Sequence, residues 1–155
     1  MMSAEVTIFK AVMDCLRNDP DLMSMVQYFF EGRRESVAYY QFPCVMLWVE
    51  GIEVLAERKD HVKKSMRMVA AFYVDQWDNT EMFTNELSGL LRVYNMLEGA
   101  LARGANRHPP FGIADYAPVV YSVGNAAFPV VMTEHPYYGV ELSFEIQYSV
   151  LNTER

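Results

Sequence analysis

Cysteine is nearly missing from this chain of 155 residues, with Cys15 and Cys44 the whole supply. Two cysteines cannot make the disulfide framework of small secreted domains, so the sequence predicts two buried free thiols in a soluble protein of a reducing cytoplasm. Long apolar runs are missing too. None approaches the roughly 20 residues that span a bilayer. Met1-Met2-Ser3-Ala4-Glu5-Val6 has no basic segment ahead of an apolar one, so neither a membrane span nor a signal peptide is expected. Positive charge is scarce: 13 Lys and Arg against 20 Asp and Glu leave a formal net charge of −7 and a pI of about 4.9. That balance argues against a protein that holds nucleic acid by neutralising phosphates, but not against a surface past which nucleic acid slides without sticking. There is no glycine-rich phosphate loop and no serine-centred elbow. The histidines are His61, His108 and His135, and none stands at ligand spacing from a cysteine, another histidine or paired carboxylates. No metal and no cofactor is therefore expected. No repeat, low-complexity tract or linker interrupts the chain, which predicts a single domain over residues 1–155.

What is present is apolar patterning, with 52% of residues hydrophobic and 14% aromatic. The clearest pattern is the C-terminal run from Tyr138 to Val150. Val140, Leu142, Phe144, Ile146, Tyr148 and Val150 alternate with Glu141, Ser143, Glu145, Gln147 and Ser149. Side chains of a strand alternate faces, so this is a strand with one buried and one wetted face. Phe42 to Gly51 is apolar on both faces, as in a central strand, and Ile52 to Leu55 either continue it or begin a neighbour. Glu57 to Lys64 is a charged hairpin or loop. Ser65 to Val74 is a strand with Met66, Met68, Ala70, Phe72 and Val74 on one face. Tyr116 to Val123 alternates as another strand, and 124–139 is an apolar loop, or a short strand and a loop.

Helical spacing marks three further stretches. Ser3 caps a first helix with the stripe Val6, Phe9, Val12, Met13 and Leu16, stopped at Asn18-Asp19-Pro20. Asp21 caps a short second piece carrying Leu22, Met25, Val26 and Phe29. Asn79 or Thr80 caps the longest helix, which runs to about Leu101 with the stripe Met82, Phe83, Leu87, Leu90, Leu91, Tyr94, Leu97 and Leu101, and Gly104 ends it. Helix, strands, long helix, strands is an α+β order, with a mostly antiparallel sheet and helices packed on one face.

Among side chains that could carry chemistry, Glu141 and Glu145 share a strand face, Cys44 follows Pro43, and Asp60 precedes His61. Solubilising charge, core packing and surface charge account for them without catalysis. Two features stand out more. Arg58, Lys59, Lys63, Lys64 and Arg67 gather in one short segment of an acidic chain. They read as a solvated hairpin or as a charged arm docking on an acidic neighbour, another copy of the chain included. The chain also carries aromatics in apparent surplus of one core: Tyr39, Tyr40, Trp77, Phe111, Phe128, Tyr137 and Tyr138. Ordinary core filling and an interface explain these equally well.

The order of signals resembles the tail terminator, or tail completion, proteins of long-tailed bacteriophages. The matching pieces are the first helix ending in Leu16-Arg17-Asn18-Asp19-Pro20, the strand Phe42-Pro43-Cys44-Val45-Met46-Leu47-Trp48-Val49-Glu50-Gly51, the strand Met66 to Val74, the long helix, and the closing Gly139-Val140-Glu141-Leu142-Ser143-Phe144-Glu145-Ile146-Gln147-Tyr148. The likeness spans nearly the whole chain and lies in pattern and order. It implies a non-enzymatic structural protein of the virion, a ring of typically six copies with no membrane association. Such a ring caps the head-proximal end of the tail tube, stops tube polymerisation and meets the head-completion or connector protein, while DNA passes through its centre without specific binding. An acidic lumen suits that passage. The competing expectations are a head–tail neck protein and, from a different class, a small cytoplasmic ligand-binding or enzymatic α+β domain.

Overall fold

The computed structural model describes residues 2–38, 41–75, 81–133 and 135–154. Tyr39, Tyr40, Trp77, Asn79 and Thr80 lie outside the described residues. The elements are α1 (Ala4–Arg17), α2 (Pro20–Met25), β1 (Tyr28–Glu31), β2 (Cys44–Glu57), β3 (His61–Val74), α3 (Leu90–Ala105), β4 (Val120–Ala127), β5 (Val130–Val131) and β6 (Tyr137–Leu151). A 3-10 turn at Pro110–Gly112 follows α3. The fold is α+β, with a six-stranded mixed sheet in the order β1-β2-β3-β6-β4 and β5 pairing with β6. Among the described residues only β1 and β2 run parallel; the other pairs are antiparallel.

β6 is the strand its alternation predicts. Its ladder with β3 is unbroken from His61↔Leu151 to Val74↔Tyr138. Val140, Leu142, Phe144, Ile146, Tyr148 and Val150 are all buried, while the intervening residues from Glu141 to Ser149 are exposed or half-buried. Register partners share a face, so Met66, Met68, Ala70, Phe72 and Val74 of β3 join the same core. All three helices cover that face. Among the described residues the opposite face is covered at one end only, where Phe30, Phe42, Cys44, Met46, Ala71, Tyr73 and Tyr137 form a smaller cluster.

The helices depart from their expected stripes in informative ways. Ser3 does cap α1, its hydroxyl accepting the Val6 N–H at 3.3 Å. The buried face is Ala4, Ile8, Val12, Met13 and Leu16, while Val6 is exposed and Phe9 half-buried. Pro20 does not merely stop α1. It opens α2 as its first residue, where its missing N–H costs nothing. Asp19, not Asp21, is the cap, accepting the Leu22 N–H at 3.2 Å. The other oxygen of Asp19 takes the Arg103 guanidinium of α3 at 2.5 Å, tying the two helices together. Phe29 belongs to β1 instead of α2.

The longest helix starts at Leu90, about ten residues later than its stripe suggests. The Asn85 side-chain oxygen accepts the Leu87 and Ser88 N–H groups at 2.9 and 3.0 Å, and the Leu90 N–H reaches back to the Met82 carbonyl. Such local side-chain bonds compete with helix. Met82, Phe83 and Leu87 therefore lie off the helix, and Leu87 and Leu91 are exposed. Leu90, Val93, Leu97, Ala100 and Leu101 face the sheet instead. Gly104 is inside α3, which ends at the cap Asn106. A Cβ there would lie 2.5 Å from the Cys15 sulfur and 2.8 Å from the Phe111 ring, so glycine is what lets α1 and Phe111 approach α3.

Phe144 is 3% exposed in the centre of the main core. Phe144→Ala should cost about 3–5 kcal/mol, because a cavity replaces the ring. Glu145→Ala, on the opposite face of the same strand, should cost less than about 0.5 kcal/mol. Urea denaturation of the two variants measures both; the reverse order would mean that the faces of β6 are inverted.

Candidate assembly surfaces

β1 is only four residues long, and its pairing with β2 ends at Glu31↔Leu47. The chain then turns away at Gly32, whose φ of 90° is left-handed backbone that glycine adopts without strain. The Gly32 N–H makes the last bond to β2, at the Leu47 carbonyl. From Trp48 to Glu57, β2 pairs with β3 on one side and, among the described residues, with no strand on the other. Ile52 to Leu55 thus continue the strand, and the apolar run 42–51 is central only in its first half. On the helix side of this edge, Val6, Phe9, Val49, Ile52 and Met66 line a groove of about 300 Å³ with Glu5 and Glu31 at its rim.

The far edge of the sheet is β4, which begins at Val120, four residues later than Tyr116, and continues to Ala127. Of the two readings of 124–139, a loop or a short strand and a loop, the second is nearer: residues 124–127 extend β4, and β5 carries the edge on to Val131. Val120, Val123, Val130 and Met132 are exposed along it. Phe83 meets Phe128 edge-to-face at 5.6 Å, which brings the segment holding exposed Leu87 beside this edge. The chain thus shows two unlike apolar surfaces, one at each edge of the sheet.

The basic segment does lie on a hairpin, the β2–β3 turn, but not as one patch. Arg58 and Lys59 are exposed at the tip, where their carbonyls accept from the Asn152 amide at 3.3 and 2.8 Å. Lys64 is on the helix side, with its ammonium 3.7 Å from Glu5, which also accepts the Tyr148 hydroxyl at 2.6 Å. Lys63 and Arg67 point to the opposite, open face, through their register with Ser149 and Glu145. Because β3 begins at His61 and not at Ser65, Lys63 and Lys64 fall on alternate faces of one strand.

On the open face Arg67, Glu50, Ser122, Asn125, Ser143 and Glu145 line a shallow cleft of about 390 Å³. The Gln147 amide donates to Glu145 at 2.9 Å and the Trp48 indole to Glu50 at 2.9 Å. Hydrogen bonding from Gln147 first and Ser65 second, with a smaller contribution from the Arg67 charge, holds the Glu145 carboxyl below its ordinary pKa. Glu141 accepts the Tyr73 hydroxyl at 2.5 Å. This face is polar and mixed in charge.

The described part of the aromatic surplus is largely core. Phe111, Tyr137 and Tyr138 are buried and Phe128 is half-buried. The exposed large hydrophobics are mostly aliphatic side chains and methionine, with Tyr28 and Phe83 beside them, and more than half lie at the two edges. Cys15 and Cys44 are both free, Cys15 only half-buried and bonded to the Ala100 carbonyl at 3.3 Å. Asp60 and His61 touch at 2.8 Å on the surface. Among the described residues no three His, Cys, Asp or Glu side chains cluster to hold a metal ion, and no helix is long and apolar enough to cross a membrane. No protein-family model matches the chain, and no curated protein matches it.

Burial pushes the Cys44 thiol up to about 12. Burial, followed by a hydrogen bond to a glutamate, also raises Tyr73 and Tyr148. These groups stay protonated in the folded chain at a pH where the unfolded chain releases their protons. Their contribution is complete below the unfolded pKa values and is lost as pH rises from about 9 towards 12. Urea midpoints should therefore fall from about pH 9 upward, and a midpoint unchanged to about pH 10.5 would contradict this.

Proposed function

We propose that this chain is a tail terminator of a long-tailed bacteriophage: a ring-forming structural protein that caps the head-proximal end of the tail tube. One observation carries the proposal. The apolar surface at the β2 edge differs from the one at the β4 edge, and the two lie on opposite sides of the subunit. Two unlike patches associate head to tail, and a head-to-tail contact closes into a ring when its rotation allows. The order of helices and strands, which resembles that family, supplies the expected number of six copies and the neighbours, namely the tube protein on one side and the head connector on the other.

Two further features support it. The three helices cover one face of the sheet, leaving the polar open face for a channel wall. The formal charge of −7 per copy suits a channel that passes DNA without retaining it.

Disrupting the gene in the phage that encodes it, and viewing the particles by electron microscopy, tests the assignment. The expected result is overgrown tails detached from heads, with a ring at the tube end restored by supplying the protein. Tails of normal length that fail to join heads would instead indicate a neck protein, and normal virions would overturn both.

A further inference from the structure

We infer that copies of this chain join edge to edge through main-chain hydrogen bonds, β4 of one copy pairing antiparallel with residues 48–57 of β2 in the next. The inference rests on the ring assembly proposed above and adds how its subunits are joined.

Three properties of the two edges support it. The first is that, among the described residues, neither edge is paired with another strand, and only the charges of Glu50, Glu53 and Glu57 and the bulges blunt them. Natural edge strands are blunted by charge, proline, shortness or a covering element. β4, Val120-Tyr121-Ser122-Val123-Gly124-Asn125-Ala126-Ala127, has no charged residue and no proline, and six of its eight residues are exposed. Beyond Leu47, β2 is open for ten residues, and Val49, Ile52, Val54 and Leu55 along it are exposed. Edges this long, apolar and uncovered are templates for another strand. The uncharged β4 also meets the exposed Glu50 and Glu53 of β2 without repulsion.

The second property is direction. β2, β3, β6 and β4 alternate in sense across the sheet, so β4 runs opposite to β2. A copy rotated about an axis lying roughly along the strands keeps those senses, and therefore sets its β4 antiparallel beside the first copy's β2. Antiparallel pairing is the favoured kind and the kind that dominates this sheet.

The third is level. Across the sheet, Ile52 lines up with Met66, Ile146 and Tyr121, and Val49 with Met68, Phe144 and Val123. The open part of β2 and the first half of β4 stand at the same height, as continuation around a ring requires. On the helix side of that junction the neighbour's Val123 would approach the apolar groove of Val6, Phe9, Val49 and Ile52. Both edges also carry bulges, at Val49/Gly51, Val54/Ala56 and Val123/Ala126. Bulges bend and twist a sheet, as a closed wall requires.

The dimensions allow a channel. Four strands per copy, spaced about 4.8 Å apart, give about 19 Å of wall measured across the strands. Six such copies close a wall at least about 37 Å across, wide enough to pass a DNA duplex. The helices lie outside, and the open face with Arg67, Glu50 and Glu145 lines the interior.

Cysteine pairs test the junction. Glu53→Cys, Val54→Cys and Leu55→Cys are each combined with Val120→Cys, Ser122→Cys and Val123→Cys. The assembled protein is oxidised mildly and separated without reductant, with the parent chain as control. At least one combination should give a covalent ladder of multimers, while each single substitution gives none. Rings visible by electron microscopy with no ladder from any combination would overturn the edge pairing and leave the ring standing. Disulfide dimers from single substitutions would overturn it in favour of a two-fold contact. Neither rings nor ladders would overturn both.

Discussion

The ladder between β3 and β6 is the constraint on which the rest of the molecule depends. It runs unbroken from His61↔Leu151 to Val74↔Tyr138, and two long strands held in one register fix which side chains face which way. A slip of β6 by one residue would turn Phe144 and Tyr148 out and Glu145 in. With the register fixed, one face is a continuous apolar surface that α1, α2 and α3 must cover. The links across the layers follow from it: Tyr148 reaches Glu5 of α1, and Asp19 ties α2 to Arg103 of α3.

The same ladder makes the sheet asymmetric. β3 and β6 are long, but β1 covers only the first part of β2, and nothing flanks β4 among the described residues. Covering the sheet by folding alone would need a longer β1 and another strand beyond β4. Self-assembly satisfies both edges with one junction. Electrostatics must be overcome in that step, because each copy carries a formal charge of −7. Exposed like charges farther apart than about 8 Å are largely screened at physiological salt. The desolvation of Val49, Ile52, Val54, Val120 and Val123 then supplies the attraction, at about 25 cal/mol per Å² of apolar surface removed from water.

Much of this fold is legible in the sequence, for a definite reason. β6 has one buried face, and period-two alternation records that directly, while β3 from Met68 to Val74 is buried on both faces and is legible from its apolar run. The β2–β3 hairpin is legible from its charge. What escapes is decided by partners distant in the chain or by single side chains. β1 is four residues whose Phe29 continues the helical stripe of Leu22, Met25 and Val26, and only pairing with β2 makes them a strand. The late start of α3 depends on the Asn85 side chain, and Gly104 reads as a helix stop until Cys15 and Phe111 are seen packed against it. The candidate site was the least legible part. The basic residues are adjacent in sequence, but strand alternation divides Lys63 from Lys64. The two apolar edges are defined by where neighbouring strands end, which no local pattern states.

The central claim is that two unlike edges of one subunit recognise each other. Mixing two edge variants and weighing the products by native mass spectrometry tests this most directly. Ile52→Asp spoils the β2 edge and leaves β4 intact, and Val123→Asp does the reverse. Both positions are about half exposed, so folding should survive either change. Each variant alone should stay monomeric under conditions where the parent closes into a ring. An equal mixture should give a one-to-one dimer and nothing larger, because only one good junction can form. Closed rings from either variant alone would contradict the account.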